Sequence, residues 1–168
     1  PLLRLILDKV SAPEVNIDGP LQLQISALDS NSYVGVIGIG RIKRGEIKPN
    51  DQVVVVDREG KTRKAKILQV MGHDGLDRIE VASAQAGSIV CVTGVDKLNI
   101  SDTICHPEAI EALPALSVDE PTVSMTFQVN DSPFAGLEGK FVTSRNIKER
   151  LEKELISNVA LRVEQGES

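Results

Sequence analysis

The sequence predicts a mainly β protein, a small closed β-barrel followed by a short α/β unit. Three observations carry that reading. From Leu21 to Cys105, short apolar runs alternate with clusters of turn residues. Within them Gly35, Gly38 and Gly40 interrupt a strand otherwise rich in Val and Ile, and glycine inside a strand marks a bulge, a barrel corner or close backbone approach. Beyond Glu120 the pattern changes, with Ile147, Leu151 and Leu155 on one helical stripe.

Taken in order, Pro1 to Val10 places Leu3, Ile6, Leu7 and Val10 at helical spacing, with Pro1 suited to a first helical turn. It reads as the end of a preceding domain's helix, and Ser11 to Pro20, with two prolines and a glycine, as the linker after it. The chain is therefore expected to be a piece of a longer protein. Leu21, Leu23, Ile25 and Ala27 alternate with polar residues as a half-buried strand, and Asp29 to Ser32 turns it into the glycine-rich strand. Arg44-Gly45 and Pro49-Asn50-Asp51 follow as turns within a basic hairpin, with Gly45 and Asn50 suited to positive φ. Gln52 to Val56 resumes as an apolar run, Asp57 to Gly60 turns, and Lys61 to Met71 places Arg63, Ala65 and Ile67 on one face. Further strands are expected at 78–81, 88–93 and 102–105. Such spacing favours a barrel over a sandwich and leaves strand order open.

His106 to Glu120 is an acidic connection with two prolines. The expected divisions are a helix remnant and linker at 1–18, the barrel at 19–106, a linker at 107–120 and the α/β unit at 121–168. In that unit, Thr122 to Val129 reads as a strand, Asp131 to Gly139 as a loop, Thr143 to Ser157 as a helix and Val159 to Val163 as a strand. One helix on two strands is normally too little to fold well alone, so the unit is expected to be half of a domain and to associate with a neighbouring chain.

Composition excludes several functions. With no Trp, one Tyr and three Phe among 168 residues, stacking on bases is a poor mode of binding. Cys91 and Cys105 have no CxxC spacing and make no metal-ligand pattern with His73 and His106, so both are expected as buried thiols. No apolar run approaches the roughly 18 residues that span a bilayer, and a cytoplasmic protein without a membrane partner is expected. The net charge of −5 conceals a division: residues 41 to 66 hold nine basic and four acidic side chains, a balance of +5, against −10 elsewhere. Arg41, Lys43, Arg44, Lys48, Lys61, Arg63, Lys64 and Lys66 are thus the candidate nucleic-acid contacts, drawn to phosphate on an otherwise acidic body. The same excess also fits a solvated strand face with charged edge protection.

Four strings imitate catalytic motifs. Gly136 to Lys140 resembles a phosphate-binding loop, but Phe134 and Phe141 stand where that motif needs Gly and Ser or Thr. Asp57-Arg58-Glu59-Gly60 fits the DxxG of GTPases, yet its place between two strands makes it a hairpin turn. His73-Asp74 has no nucleophile placed with it and reads as a loop histidine. Glu149, Glu152 and Glu154 read as ion-pairing partners of Arg150 and Lys153 on a solvated helix face. No catalytic, cofactor-binding or metal-binding residue is expected.

The pattern Gly38-Ile39-Gly40-Arg41-Ile42, Arg44 to Lys48 and Asn50 to Val53 resembles the second-domain barrel of translational GTPases. Ser117 to Leu155 is more specific and resembles the third domain, an elongation factor G type ferredoxin-like α/β domain, of the bacterial TypA/BipA family. The opening helix is similar to the tail of that family's GTPase domain. The resemblance implies a longer GTPase, with GTP and Mg2+ held by an N-terminal domain, that binds the ribosomal factor site, ribosomal RNA, ribosomal proteins and A-site tRNA. It also implies roles in large-subunit assembly, translation and stress adaptation. This stretch would be its non-catalytic ribosome-binding core, a rigid coupler with a hinge at 106–120; a generic barrel adaptor that binds protein is the alternative. The phosphate loop, switch residues and guanine-recognition motif are absent from the sequence, so no GTP-binding residue carries over.

Overall fold

The computed structural model describes residues 2–11, 14–31, 33–117, 122–135, 137, 139, 141–158 and 160–166. They form two compact units, Pro1–Ala115 and Leu116–Ser168. The first opens with helix α1 (Leu2–Lys9) and continues through strands β1 (Gln22–Asn31), β2 (Gly35–Arg44), β3 (Glu46–Ile47), β4 (Gln52–Val56), β5 (Thr62–Lys66), β6 (Val70–Asp74), β7 (Asp77–Glu80), β8 (Ala84–Gln85), β9 (Ile89–Val92) and β10 (Thr103–Cys105). Its core joins Leu23, Ile25, Ile42, Val53, Val55, Ile67, Val70, Val90, Val92 and Ile104, all at most 2% exposed. Each such side chain contributes about 1.5–3 kcal/mol on burial.

Eight strands pair in the order β5-β4-β10-β1-β2-β9-β6-β7, and β3 pairs with β8. The sheet closes because β5 and β6 belong to one run of chain, with β7 added beyond it as the hairpin partner of β6. Residues 62–66 pair with β4, and after Ile67 the same run pairs with β9. Leu68 N donates to Thr93 O at 2.9 Å and Thr93 N to Gln69 O at 3.2 Å, which completes the seam. The expected closed barrel is therefore present.

Two bulges shape it. Ser26 is the extra residue where β1 passes Ile39 and Gly40, so the inward position moves from Ile25 to Leu28. That bulge and the length of β1, which runs to Asn31, correct the expected turn at Asp29. Lys43 is the extra residue between the Leu23–Ile42 and Gln22–Arg44 pairs. Gly45 and Asn50 adopt φ of 75° and 73°, as their turns require. The basic hairpin, however, does not form: β10 and β1 stand between β2 and β4, and β3 turns away to β8. The hairpin in this region is β4–β5.

Val53 to Val56 are buried in succession although strand side chains alternate. Val53 and Val55 join the core, while Val54 and Val56 face the other way, beside Cys105 and Thr103 of β10. There the chain after β10 doubles back along the barrel's outer wall. Gln22 Nε2 donates to Glu111 O at 2.9 Å, Gln24 Nε2 to Pro114 O at 2.7 Å, and Leu113 N to Thr103 Oγ1 at 3.0 Å. Residues 106–114 are thus a strap seated on the barrel, where a free connection is expected from the composition; 118–120 lie outside the described residues.

The second unit contains α2 (Ser144–Ser157), capped by Thr143, whose Oγ1 accepts from Asn146 N at 3.3 Å. Arg145–Glu149, Lys148–Glu152 and Arg150–Glu154 pair along it, so the three glutamates are ion-paired as expected, with Lys148 in the place given to Lys153. The two flanking strands are not formed among the described residues. Residues 122–129 and 160–163 pair with no other strand, and Val123, Met125 and Phe127 are exposed. A ladder needs a partner, and two short segments with one helix bury too little to create one. Val159, Gly136, Glu138 and Lys140 lie outside the described residues, and with them most of the string that imitates a phosphate loop.

Candidate nucleic-acid interface

The eight candidate cations separate into two classes by what their side chains touch. Arg63 reaches inward from β5, where its Nη2 donates to Asp102 Oδ2 at 2.7 Å and to Lys97 O at 2.9 Å. Asp102 is fully buried and also accepts from Asn99 N at 3.0 Å. Arg63 is therefore a core ion pair. Arg44, at the end of β2, donates to Pro20 O at 2.9 Å and pairs with Glu111 at 2.8 Å. Lys48 pairs with Glu46 at 2.8 Å, and this contact raises the lysine's pKa and lowers the glutamate's. Lys61 pairs with Glu59.

Arg41, Lys43, Lys64 and Lys66 remain as outward cations on strand backbones. Their positions follow from register. One row across the outer wall reads Lys64, Val54, Cys105, Gln22, Arg44, and the next reads Thr62, Val56, Thr103, Gln24, Arg41. Four interstrand steps, about 19 Å of wall, therefore separate Lys64 from Arg44. The barrel does not bring the two basic groups together. The bulge at Lys43 lets Arg41, Lys43 and Arg44 all face outward from the end of β2.

Two of the strings that imitate catalytic motifs, at Asp57 and at His73, resolve into local structure. Asp57 Oδ1 accepts from Glu59 N and Lys61 N, both at 2.9 Å, and Gly60 N donates to Asp57 O at 3.1 Å, so the DxxG string is the β4–β5 turn. Asp57→Ala is expected to lower stability by about 1 kcal/mol, seen as a lower urea midpoint at unchanged slope. His73 is on β6, not in a loop, with its Nε2 3.9 Å from Cys91 Sγ. Both cysteines are buried and unpaired, and burial pushes each thiol's pKa up. An open groove of about 860 Å³ lies beside His73, Val81, Gln85, Ser88 and Ile89, with no second titratable side chain on it. No group of three or more His, Cys, Asp or Glu among the described residues could hold a metal ion. None of their helices is long and apolar enough to cross a membrane.

Sequence reasoning missed Asp102 and Glu111, the partners that take Arg63 and Arg44 out of the free set. An aspartate in the expected strand 102–105, next to Thr103, Ile104 and Cys105, was the available signal for the first.

Comparison with known proteins agrees with the barrel. Residues 35–105 match the family model of elongation factor Tu domain 2. The chain is 66% identical over 167 residues to the large ribosomal subunit assembly factor BipA of Escherichia coli (strain K12), covering 99% of this chain and 28% of that protein. The chain is BipA-like. The BipA of Haemophilus influenzae is 62% identical over 165 residues, 98% of this chain and 27% of the relative, and that of Buchnera aphidicola is 54% identical over the same length and shares. The BipA resemblance thus extends through both units, although the chain spans little more than a quarter of these relatives' length. The resemblance to translational GTPases expected from the motifs is borne out.

Proposed function

We propose that this chain is the non-catalytic, ribosome-binding core of a BipA-type translational GTPase. The observation that carries the reading is the 66% identity, over nearly the whole chain, to a protein named as a large ribosomal subunit assembly factor. The longer protein would hydrolyse GTP with Mg2+ in an N-terminal domain, bind the ribosomal factor site and act in the cytoplasm in subunit assembly, translation and stress adaptation. Ribosomal RNA, ribosomal proteins and A-site tRNA would be its partners. The barrel would serve as the rigid coupler between the nucleotide-driven domain and the α/β unit. The hinge would lie beyond Pro114, because residues up to that point are hydrogen-bonded to the wall.

Arg41 and Lys43 are the favoured phosphate contacts of this reading, with Lys64 and Lys66 as a second, separate group. Arg44, Lys48, Lys61 and Arg63 would act mainly by holding local structure. Reversing Arg41 and Lys43 to glutamate in the longer protein should weaken ribosome binding and shallow the salt dependence by roughly one to two phosphate equivalents. Sedimentation with ribosomes across a salt series measures both. An unchanged slope would count against the assignment. Hydrolysis assayed with and without the N-terminal domain completes the test: the reading expects no turnover from this chain and GTP-dependent sedimentation only of the longer protein. Sedimentation that ignores nucleotide and salt would favour a protein-binding adaptor.

A further inference from the structure

The chain enters the barrel and leaves it past one side chain, Arg44. On the entry side, its Nε donates to Pro20 O at 2.9 Å. The neighbouring Gly45 N donates to Asn16 O at 2.9 Å, within a parallel bridge between Asn16 and Arg44. Gly19 lies flat on the arginine stem: a Cβ there would sit 2.5 Å from Arg44 Cδ and 2.6 Å from Cγ. On the exit side, Nη2 pairs with Glu111 Oε2 at 2.8 Å. The backbone carbonyl of the same Glu111 accepts from Gln22 Nε2 at 2.9 Å and from Cys105 Sγ at 3.3 Å.

We infer that Arg44 is a positioning clamp through which the entry segment, residues 16–20, controls the seating of the exit strap, residues 106–114. The physical basis is the shape of the guanidinium. Its planar fork satisfies two acceptors at once, one on each segment, and its stem is held by Gly19; an ammonium offers no such fork. Moving the entry segment displaces the stem, the Nη2–Glu111 contact is lost, and the strap beyond the backbone bond from His106 N to Leu21 O then rests on the hydrogen bonds of Gln22, Gln24, Thr103 and Cys105. Cys105 lies beneath it, fully buried. The clamp goes beyond the ribosomal reading, since it would operate whether or not the barrel ever meets RNA.

Thiol reactivity in this 168-residue chain tests the inference without a ribosome. Iodoacetamide labelling, quantified by mass spectrometry, reports Cys105 as the strap's sensor, with Cys91 as the internal reference on β9. Gly19→Ala touches no strap residue, yet it should speed Cys105 labelling about fivefold while leaving Cys91 unchanged, because the buried thiol is reached through local opening. Glu111→Gln should do the same, with rates compared per thiolate across a pH series because Arg44 and Glu111 also act on the thiol's pKa. The double variant should be no faster than the faster single one, since both act through one contact. Unchanged Cys105 labelling in Gly19→Ala, or rates that multiply in the double variant, would overturn the clamp. Should Gly19→Ala speed Cys91 as well, signalling global unfolding, Arg44→Lys decides: faster Cys105 with steady Cys91 supports the clamp, and an unchanged Cys105 rejects it.

Discussion

Gly40→Ala is expected to cost the barrel more than about 3 kcal/mol and to lower its thermal midpoint by roughly 15 °C or more. A Cβ at this position would lie 2.2 Å from the carbonyl oxygen of Gln24 and 2.9 Å from its carbon. Both are backbone atoms of β1, which is held on its other side by β10, so neither can yield without breaking a ladder. Gly38→Ala meets instead the far end of Leu98, at 2.2 Å, and a side chain can partly turn aside. Gly60, with φ of 80° and nothing within 4 Å, should lose only about 1 kcal/mol on the same change. Thermal melts of the three variants followed by circular dichroism give the comparison. A midpoint for Gly40→Ala at or above that of Gly60→Ala would refute the close-approach argument.

Arg63→Met should be nearly as damaging, at about 3–5 kcal/mol. The substitution keeps the stem and removes the charge, stranding the Asp102 carboxylate at 0% exposure with a single backbone donor, Asn99 N. Oδ1 of Asp102 has no hydrogen-bond donor among the described residues to soften the loss. Lys64→Met, one residue along the same strand, should change stability by no more than about 0.5 kcal/mol, because Lys64 faces solvent. Urea unfolding distinguishes a core ion pair from a surface cation in this pair of variants. Equal midpoints would mean that Arg63 is not a structural residue. Adding Asp102→Asn to Arg63→Met should recover part of the loss, since the stranded charge goes with it.

These variants show how far the basic segment could be read in one dimension. Arg63 shares alternation and composition with its neighbours, and only the burial of Asp102, 39 positions away, separates it from Lys64. Lys43 and Arg44 are adjacent in sequence, yet a bulge and a carboxylate from residue 111 give them different roles. Charge summed along a segment does not reveal which cations already have a partner.

Local signals were legible where the physics is local. Gly45 and Asn50 take the positive φ that their turns demand, Asp57 closes its own hairpin turn, and helix α2 starts at the Thr143 cap within one residue of expectation. Val53 to Val56 read as a strand because their β-branched side chains fit a pleated, buried surface. The expected strands of the α/β unit failed for the complementary reason: alternation in 122–129 states a preference, and a ladder needs a second strand to satisfy its backbone.

By itself, then, the sequence determined the barrel class, the turns at Gly45, Asn50 and Asp57, the helices and the resemblance to translational GTPases, all of which rest on short-range stereochemistry or on motif strings. Tertiary structure alone decided the strand order, the seam at Leu68 and Thr93, the seating of residues 106–114 and the sorting of eight cations into held and free. Those depend on contacts between residues tens of positions apart. Such contacts are set by which surfaces can be buried together, and no local pattern records that.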